Sequence, residues 1–176
     1  MAEHADRELN SEINALWDDQ LKAIPAEWIP RDAAPNVAEF LTVVGLPTTE
    51  VKGIAFVHDK RMSHLIEHLD RGYLLLATTG GLPFVADPID GQVGTFVGGR
   101  SPRLLFVGSS LPQFLVALGI WRRDLWAPPA ATRTAEYLLS ACAQFERVLA
   151  DRDPAAVKAG AYWPGLLGGL REGIEL

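Results

Sequence analysis

Cysteine is almost absent from the 176-residue chain: only Cys142 occurs, so no disulfide can form within it. Cys142 lies in an apolar stripe at helical spacing, and we expect it to be a buried hydrophobic residue rather than a nucleophile. No run of about 18 apolar residues is present to cross a membrane. Residues 1–10 are polar and acidic and lack the apolar region of a secretory signal, so we expect a cytoplasmic protein that does not bind membranes.

Basic residues are too few to balance the acidic ones. The chain has 16 Lys and Arg against 22 Asp and Glu, which gives a formal net charge of −6. Binding to nucleic acid needs a basic footprint for the phosphates, so we expect no nucleic acid partner. A basic protein is a better match for this charge, although mild acidity can equally serve solubility alone.

The chain also lacks internal repeats and any linker long enough to divide it. Its length suits one domain, and 48% of its residues are hydrophobic, so residues 1–176 are predicted to form a single globular domain. A chain of this size buries about 70% of its unfolded surface, which is enough for a core that needs no disulfide.

Residues 82–118 carry the clearest structural signals, and they predict two strands joined by a hairpin, then a third strand and a helix. Asp90-Gly91 is a strong hairpin signal, because Gly tolerates a positive φ and Asp tolerates the left-handed region. Ser109 or Ser110 is expected to cap the helix by accepting a hydrogen bond from an N–H that has no helical partner. Apolar residues then recur at helical spacing, so this helix should lay one apolar face on the sheet.

The flanking segments predict further strands and helices. Strands are expected at 53–57 and 73–77, and helices at 6–23, 35–44 and 132–149. Residues 59–70 are polar and compatible with a helix, and the aromatic and leucine residues of 162–170 are expected to seal one end. The resulting fold class is α+β: a twisted, mainly antiparallel sheet of about five or six strands, flanked by N-terminal and C-terminal helices.

One motif suggests a metal site. His64-Leu65-Ile66-Glu67-His68 fits the H-x-x-E-H pattern of inverzincin peptidases. On a helix, His64 and His68 would share one face and could bind zinc, with Glu67 as the base. The alternative is a polar segment with two unrelated histidines, and we favour it because peptidases of that class are much longer. We therefore expect no metal and no cofactor, and zinc peptidase remains an alternative function.

Four residues are candidate partner contacts. Asp87 and Asp90 flank a proline at the predicted hairpin; paired carboxylates can perform acid–base chemistry, but Asp-Pro and Asp-Gly more often form turns. Trp121 and Trp126 bracket two arginines and an aspartate, a composition that suits an interface anchor or, equally, core tryptophans beside solvated charges. No set of residues forms a catalytic constellation, so the chain is predicted not to be an enzyme.

The order of several motifs resembles the SUKH superfamily. The resemblance begins with Phe40-Leu41 and Gly45-Leu46-Pro47, continues with the hairpin Ile89-Asp90-Gly91, and includes the step Val107-Gly108-Ser109-Ser110 followed by Leu111 and Phe114. The tail resembles the fourth branch of the superfamily through Asp153-Pro154, Tyr162-Trp163, Leu166, Leu167 and Leu170. Together these motifs cover roughly residues 37–173, which is most of the chain.

This resemblance implies a bacterial immunity protein. Such proteins bind the toxin domain of a polymorphic or contact-dependent toxin made by the cell's own kin, sterically and without a cofactor. The partner would then be a cognate protein toxin domain, bound by a monomer or a weak homodimer. We expect the contact surface to include Asp87 and Asp90 on an exposed face of the sheet, with Trp121 or Trp126 nearby. A non-enzymatic regulatory or scaffold protein is the alternative that the same superfamily offers.

Overall fold

An antiparallel sheet forms the middle of the fold, and helices from both ends of the chain cover it. The computed structural model describes residues 2–99 and 101–173, with side chains from residue 9 onward. The described α-helices are α1 (Ala2–Trp17), α2 (Pro35–Val43), α3 (Leu111–Trp121), α4 (Ala135–Arg152) and α5 (Tyr162–Arg171). The described strands are β1 (Leu21–Lys22), β2 (Leu46–Pro47), β3 (Ala55–Phe56), β4 (Ile66–His68), β5 (Arg71–Thr79), β6 (Leu82–Ala86), β7 (Val93–Val97) and β8 (Arg103–Gly108).

Six of these strands form the main sheet. In it β3, β5, β6, β7 and β8 lie side by side in that order, and β4 pairs with the first residues of β5. Every pairing is antiparallel. The predicted α+β fold, with a mainly antiparallel sheet between N-terminal and C-terminal helices, is therefore confirmed.

Helix α3 is buried around most of its circumference, whereas its sequence predicts burial of a single apolar face. Nine of its 11 residues are buried. Phe114 stacks on Phe84 of β6 with 5.9 Å between ring centroids, so the helix is fixed to the sheet. At its other end Trp121 meets Phe145 of α4 and Trp163 of α5, at 5.7 and 5.9 Å. No helix within 2–99 and 101–173 is long and apolar enough to cross a membrane.

Two buried tryptophans hydrogen-bond to backbone carbonyls. The indole N–H of Trp17 donates to the carbonyl of Leu115 at 3.0 Å, and that of Trp163 donates to the carbonyl of Val107 at 2.9 Å. A buried indole N–H without an acceptor would destabilise the fold, so these bonds select one position for each ring. They hold α1 against α3 and α5 against β8.

The predicted hairpin and helix cap are both confirmed. Gly91 has a φ of +75° in the turn between β6 and β7. The hydroxyl of Ser110 caps α3 by accepting a hydrogen bond from the N–H of Gln113 at 3.3 Å. Ser109 has a different partner, because its N–H and its hydroxyl both donate to the carboxylate of Asp153 at the end of α4.

The predicted end of the first helix is wrong. Helix α1 stops at Trp17 rather than near residue 23, and Asp18 then takes a left-handed φ of 49°. The freed segment Leu21–Lys22 pairs with Leu46–Pro47 as a separate two-stranded sheet. This pairing provides long-range backbone hydrogen bonds that the helical periodicity of the sequence does not reveal.

A small second cluster covers the face of the sheet that points away from α3. Tyr73 of β5, Val85 of β6 and Phe96 of β7 are buried there, and Ile66 of β4 packs against them. The ring of His68 meets the ring of Phe96 at 4.8 Å in an edge-on contact. Strand β4 is therefore packed onto the sheet at this end.

Candidate functional site

Two tight turns lie next to each other at one end of the main sheet. One turn, Leu69-Asp70, joins β4 to β5, and the other, residues 87–92, joins β6 to β7. Because β5 and β6 are antiparallel neighbours, the start of β5 lies beside the end of β6. A guanidinium nitrogen of Arg71 lies 3.5 Å from a carboxylate oxygen of Asp87, which joins the two turns. We give the name turn surface to the exposed apolar and acidic residues of these turns: Leu69, Asp70, Ile89 and Asp90.

Asp87 shapes the turn surface from inside. Only 5% of the residue is exposed. Its carboxylate accepts a hydrogen bond from the N–H of Ile89 at 2.8 Å, and its carbonyl accepts one from the N–H of Gly91 at 2.9 Å. Its remaining carboxylate oxygen pairs with Arg71. A carboxylate held in this way positions the turn and has little surface to offer a partner.

Asp90, in contrast, faces solvent. One of its carboxylate oxygens accepts a hydrogen bond from the N–H of Gln92 at 2.8 Å, which is the turn-forming role that Asp-Gly predicts. Neither Asp90 nor Asp70 forms an ion pair with any side chain that the structure describes. Beside them, Ile89 is 69% exposed and Leu69 is 82% exposed. Exposed apolar side chains flanked by free carboxylates are thus concentrated at this end of the sheet.

A groove of about 320 Å³, open to solvent, extends from Asp90 and Gly91 toward α2 and the first residues of α3. Its apolar lining comes from residues that include Val37, Phe40, Val43 and Leu111. Glu39 and Asp90 bring carboxylates to it, and no Lys or Arg among the described side chains lines it. Val43 is 72% exposed, whereas Val37, Phe40 and Leu111 are buried, so Val43 is the apolar side chain of this set that a partner can reach. The carboxylates of Glu39 and Asp90 give the groove a negative charge.

The two tryptophans predicted as partner contacts lie elsewhere. Trp121 is 2% exposed and packs within the aromatic cluster of α3, α4 and α5, so its ring belongs to the core. Trp126 is 42% exposed and lies at the end of a π-helical turn that follows α3, with the guanidinium of Arg133 5.6 Å from its ring centroid. Asp90 is near the first residues of α3, and 11 helical residues span about 16 Å. The structure therefore brings Asp87 and Asp90 together but keeps both tryptophans away from them.

The H-x-x-E-H segment is not helical, although the composition of residues 59–70 is compatible with a helix. His64 follows a short 3-10 turn and contacts the hydroxyl of Ser63 through Nδ1 at 3.0 Å. Glu67 and His68 belong to β4, which pairs with Arg71 and Gly72 of β5. Four residues of extended chain span about 13 Å, which is too far for His64 and His68 to bind one ion side by side. Within the described residues no three His, Cys, Asp or Glu side chains form a group that could hold a metal.

Cys142 is buried, as its helical spacing predicts. It is 1% exposed and belongs to the apolar side of α4. Burial raises the pKa of the Cys142 thiol, because the low-polarity surroundings disfavour the thiolate. A neutral, inaccessible thiol is a poor nucleophile.

Fold and surface together describe an α+β protein with exposed acidic and apolar side chains at one end of an antiparallel sheet. The family model of the SUKH-4 immunity protein matches residues 7–168, so the chain belongs to this family. The resemblance to the fourth branch of the SUKH superfamily is thereby confirmed. Membership indicates an immunity function, and the proteins of such a family are generally not enzymes. Searches of curated proteins and of solved structures found no match.

Most of this surface could not be predicted from the sequence. The exposure of Ile89 could have been predicted, because an isoleucine between a proline and an aspartate in a predicted turn is poorly placed to join the core. The exposure of Leu69 could not, since Leu-Asp is not among the dipeptides that indicate a two-residue hairpin turn. Glu39 and Val43 depend on how α2 packs beside the β6–β7 turn, which local sequence does not determine.

Proposed function

We propose that this protein is a bacterial immunity protein that binds a cognate toxin domain of the polymorphic or contact-dependent kind and blocks its active site sterically. The family assignment supports an immunity role in general terms. The observation that carries the more specific proposal is the turn surface with its groove: exposed Leu69, Ile89 and Val43 lie among carboxylates that have no ion-pair partner among the described side chains.

The charge and the apolar groups have separate roles in such a complex. A toxin domain that acts on nucleic acid has a basic substrate site, because that site must bind phosphates. A protein of net charge −6 is attracted to that site over long range, which raises the association rate. Affinity depends instead on apolar anchors that lose water in the interface. Occlusion of the site needs no chemistry and no cofactor from the immunity protein.

The proposal places this protein in the cytoplasm, where it meets a toxin domain as a monomer or a weak homodimer. A protein partner rather than nucleic acid is expected from its negative charge, and the lack of a long apolar run gives no reason to expect a membrane partner.

The experiment first identifies a toxin domain encoded next to this gene, and then measures its binding by isothermal titration calorimetry with the active site of the toxin inactivated. A stoichiometric complex of submicromolar Kd is expected, and co-expression of this protein should rescue cells that express the active toxin domain. If no complex forms and no rescue occurs, the immunity proposal is wrong and the regulatory or scaffold function of the same superfamily remains. Kinase or secretion components recovered in a pull-down would then support that alternative.

A further inference from the structure

The turn between β4 and β5 has an unusual backbone for its sequence. His68 and Arg71 form the last pair of the ladder, so Leu69 and Asp70 alone make the turn. Their φ angles are 49° and 62°, both in the left-handed region. A two-residue hairpin turn with both central φ angles positive is type I′, for which Asn-Gly, Asp-Gly and Gly-Gly are preferred.

Leucine is poorly suited to the first position of that turn. In the left-handed region the Cβ of an L-residue crowds the following carbonyl, a penalty that Gly and Asn avoid or reduce. Burial of the side chain could offset this penalty, but Leu69 is 82% exposed. The folded protein alone thus gains nothing from leucine here, and both the strain and the exposure make Leu69 a candidate for a role outside the fold.

The strained turn is held on a rigid base. Arg71 pairs with the buried Asp87, and His68 packs edge-on against Phe96. Ile66 of the same hairpin packs in the second hydrophobic cluster. Because these contacts tie the hairpin to the sheet, the backbone that carries Leu69 loses less conformational freedom when Leu69 enters a partner, which favours tight binding.

The charges around Leu69 indicate what kind of pocket it fits. Glu67 and Asp70 are exposed on either side of it, and neither forms an ion pair with a side chain within the described ranges. Arg71 lies 3.5 Å from Asp87 and forms no ion pair with Glu67 or Asp70 among the described side chains. An apolar anchor between two free carboxylates matches an apolar pocket with a basic rim.

We propose that Leu69 is the anchor that this protein inserts into an apolar pocket of the toxin domain, with Glu67 and Asp70 meeting basic side chains at the rim of that pocket. This inference rests on the proposed function, because it names the residue through which the toxin-binding surface gains most of its affinity. It differs from the sequence-based expectation, which assigned that role to a tryptophan.

The test replaces Leu69 by residues that relieve the strain and remove the anchor. Leu69→Asn and Leu69→Gly both suit a left-handed φ, so the folded protein should tolerate them. Leu139→Gln is the matched control, because Leu139 is an exposed leucine of α4, 53% accessible, outside the turn surface. The Kd for the inactivated toxin domain encoded beside this gene is measured by calorimetry, and stability is measured by urea denaturation.

We expect Leu69→Asn to raise the Kd by about 30-fold or more, the loss typical of an interface hot spot. Its unfolding equilibrium constant should stay the same or fall by about fivefold, because the strained backbone is relieved. Leu139→Gln should leave the Kd within about twofold. Weaker binding without a loss of stability would separate the anchor role from a structural one.

Two results would overturn the inference while the proposed function stands. One is a wild-type complex whose Kd changes by less than about threefold in Leu69→Asn. The other is a clear loss of stability in both Leu69 variants, which would make leucine a structural residue of the turn. Failure of the wild-type protein to bind the toxin domain would instead overturn the proposed function, and this inference with it.

Discussion

The carboxylate of Asp153 accepts two hydrogen bonds from Ser109, one from its backbone N–H and one from its hydroxyl, each 2.7 Å long. Asp153 follows the last residue of α4 and is 2% exposed, whereas Ser109 lies between β8 and α3. The pair thus joins segments that are 44 residues apart in the chain.

We predict that Asp153→Ala lowers the free energy of unfolding by about 3 kcal/mol, because it removes two charge-assisted hydrogen bonds and leaves a partly buried N–H without its acceptor. Urea denaturation followed by circular dichroism measures this change. Asp151→Ala is the control, since Asp151 lies two residues away and is exposed; its effect should stay within about 0.5 kcal/mol. Equal stabilities for the two variants would show that the Ser109 contact contributes little.

Gly45 provides a second test, at the point where α2 turns into β2. Its φ is +84°, and a Cβ there would lie 2.0 Å from the carbonyl oxygen of Lys22 in β1. Gly45→Ala should therefore separate β1 from β2 and reduce the free energy of unfolding by more than about 3 kcal/mol. Gly165→Ala is the matched control, because Gly165 is helical and nothing lies within 4 Å of its Cβ position.

The control variant Gly165→Ala should raise the free energy of unfolding, whereas Gly45→Ala should lower it. Alanine in a helix is more favourable than glycine by up to about 1 kcal/mol, so Gly165→Ala is expected to stabilise α5 slightly. Thermal unfolding of both variants beside the wild type gives the comparison. A Gly45→Ala protein as stable as Gly165→Ala would mean that the β1–β2 pairing adapts to a side chain at this position.

Local signals predicted the parts of the fold that depend on neighbouring residues. Asp90-Gly91 forms the hairpin turn and Ser110 caps α3, because each feature needs only a few adjacent residues. Cys142 is buried because its spacing follows the apolar side of a helix. Such features are visible in sequence, since the interacting groups lie within one turn of each other.

Long-range pairing explains what the sequence did not predict. The segment of His64 and His68 has a helix-compatible composition, yet strand pairing with β5 decides its conformation. Tryptophan beside arginines is typical of an interface anchor, and only the packing of α4 and α5 against α3 places Trp121 in the core. The burial of Asp87 depends likewise on Arg71 of a neighbouring strand, which is distant in sequence. The left-handed φ of Leu69 depends on a turn type for which its local sequence gives no signal.

The extended backbone of the H-x-x-E-H segment leads to a prediction about zinc. Protein purified without a histidine tag and dialysed against a trace of zinc should contain far less than one zinc per chain by elemental analysis, because His64 and His68 lie about 13 Å apart along an extended chain. His64→Ala combined with His68→Ala should leave the zinc content unchanged. Stoichiometric zinc that is lost in the double variant would contradict this and support a zinc-dependent function.

The last prediction concerns the charge of Asp90. Asp90→Asn removes one negative charge from the turn surface but keeps a side-chain oxygen to accept the hydrogen bond from Gln92 N–H, so the turn should persist. At about 0.01 M ionic strength, where the screening length is about 30 Å, the association rate with the toxin domain should fall about twofold to threefold. At about 0.15 M, where the screening length is about 8 Å, the difference should shrink toward zero.

Stopped-flow measurements at several salt concentrations test this prediction. Glu136→Gln is the control, because Glu136 is exposed in the first turn of α4, at the end of that helix opposite the Asp153–Ser109 contact. It changes the net charge by the same amount, so only a position-specific effect can separate the two variants. If both slow association equally, net charge alone steers the encounter and the turn surface has no special electrostatic role. If Asp90→Asn alone slows it, and only at low salt, the basic site of the toxin domain approaches this end of the sheet.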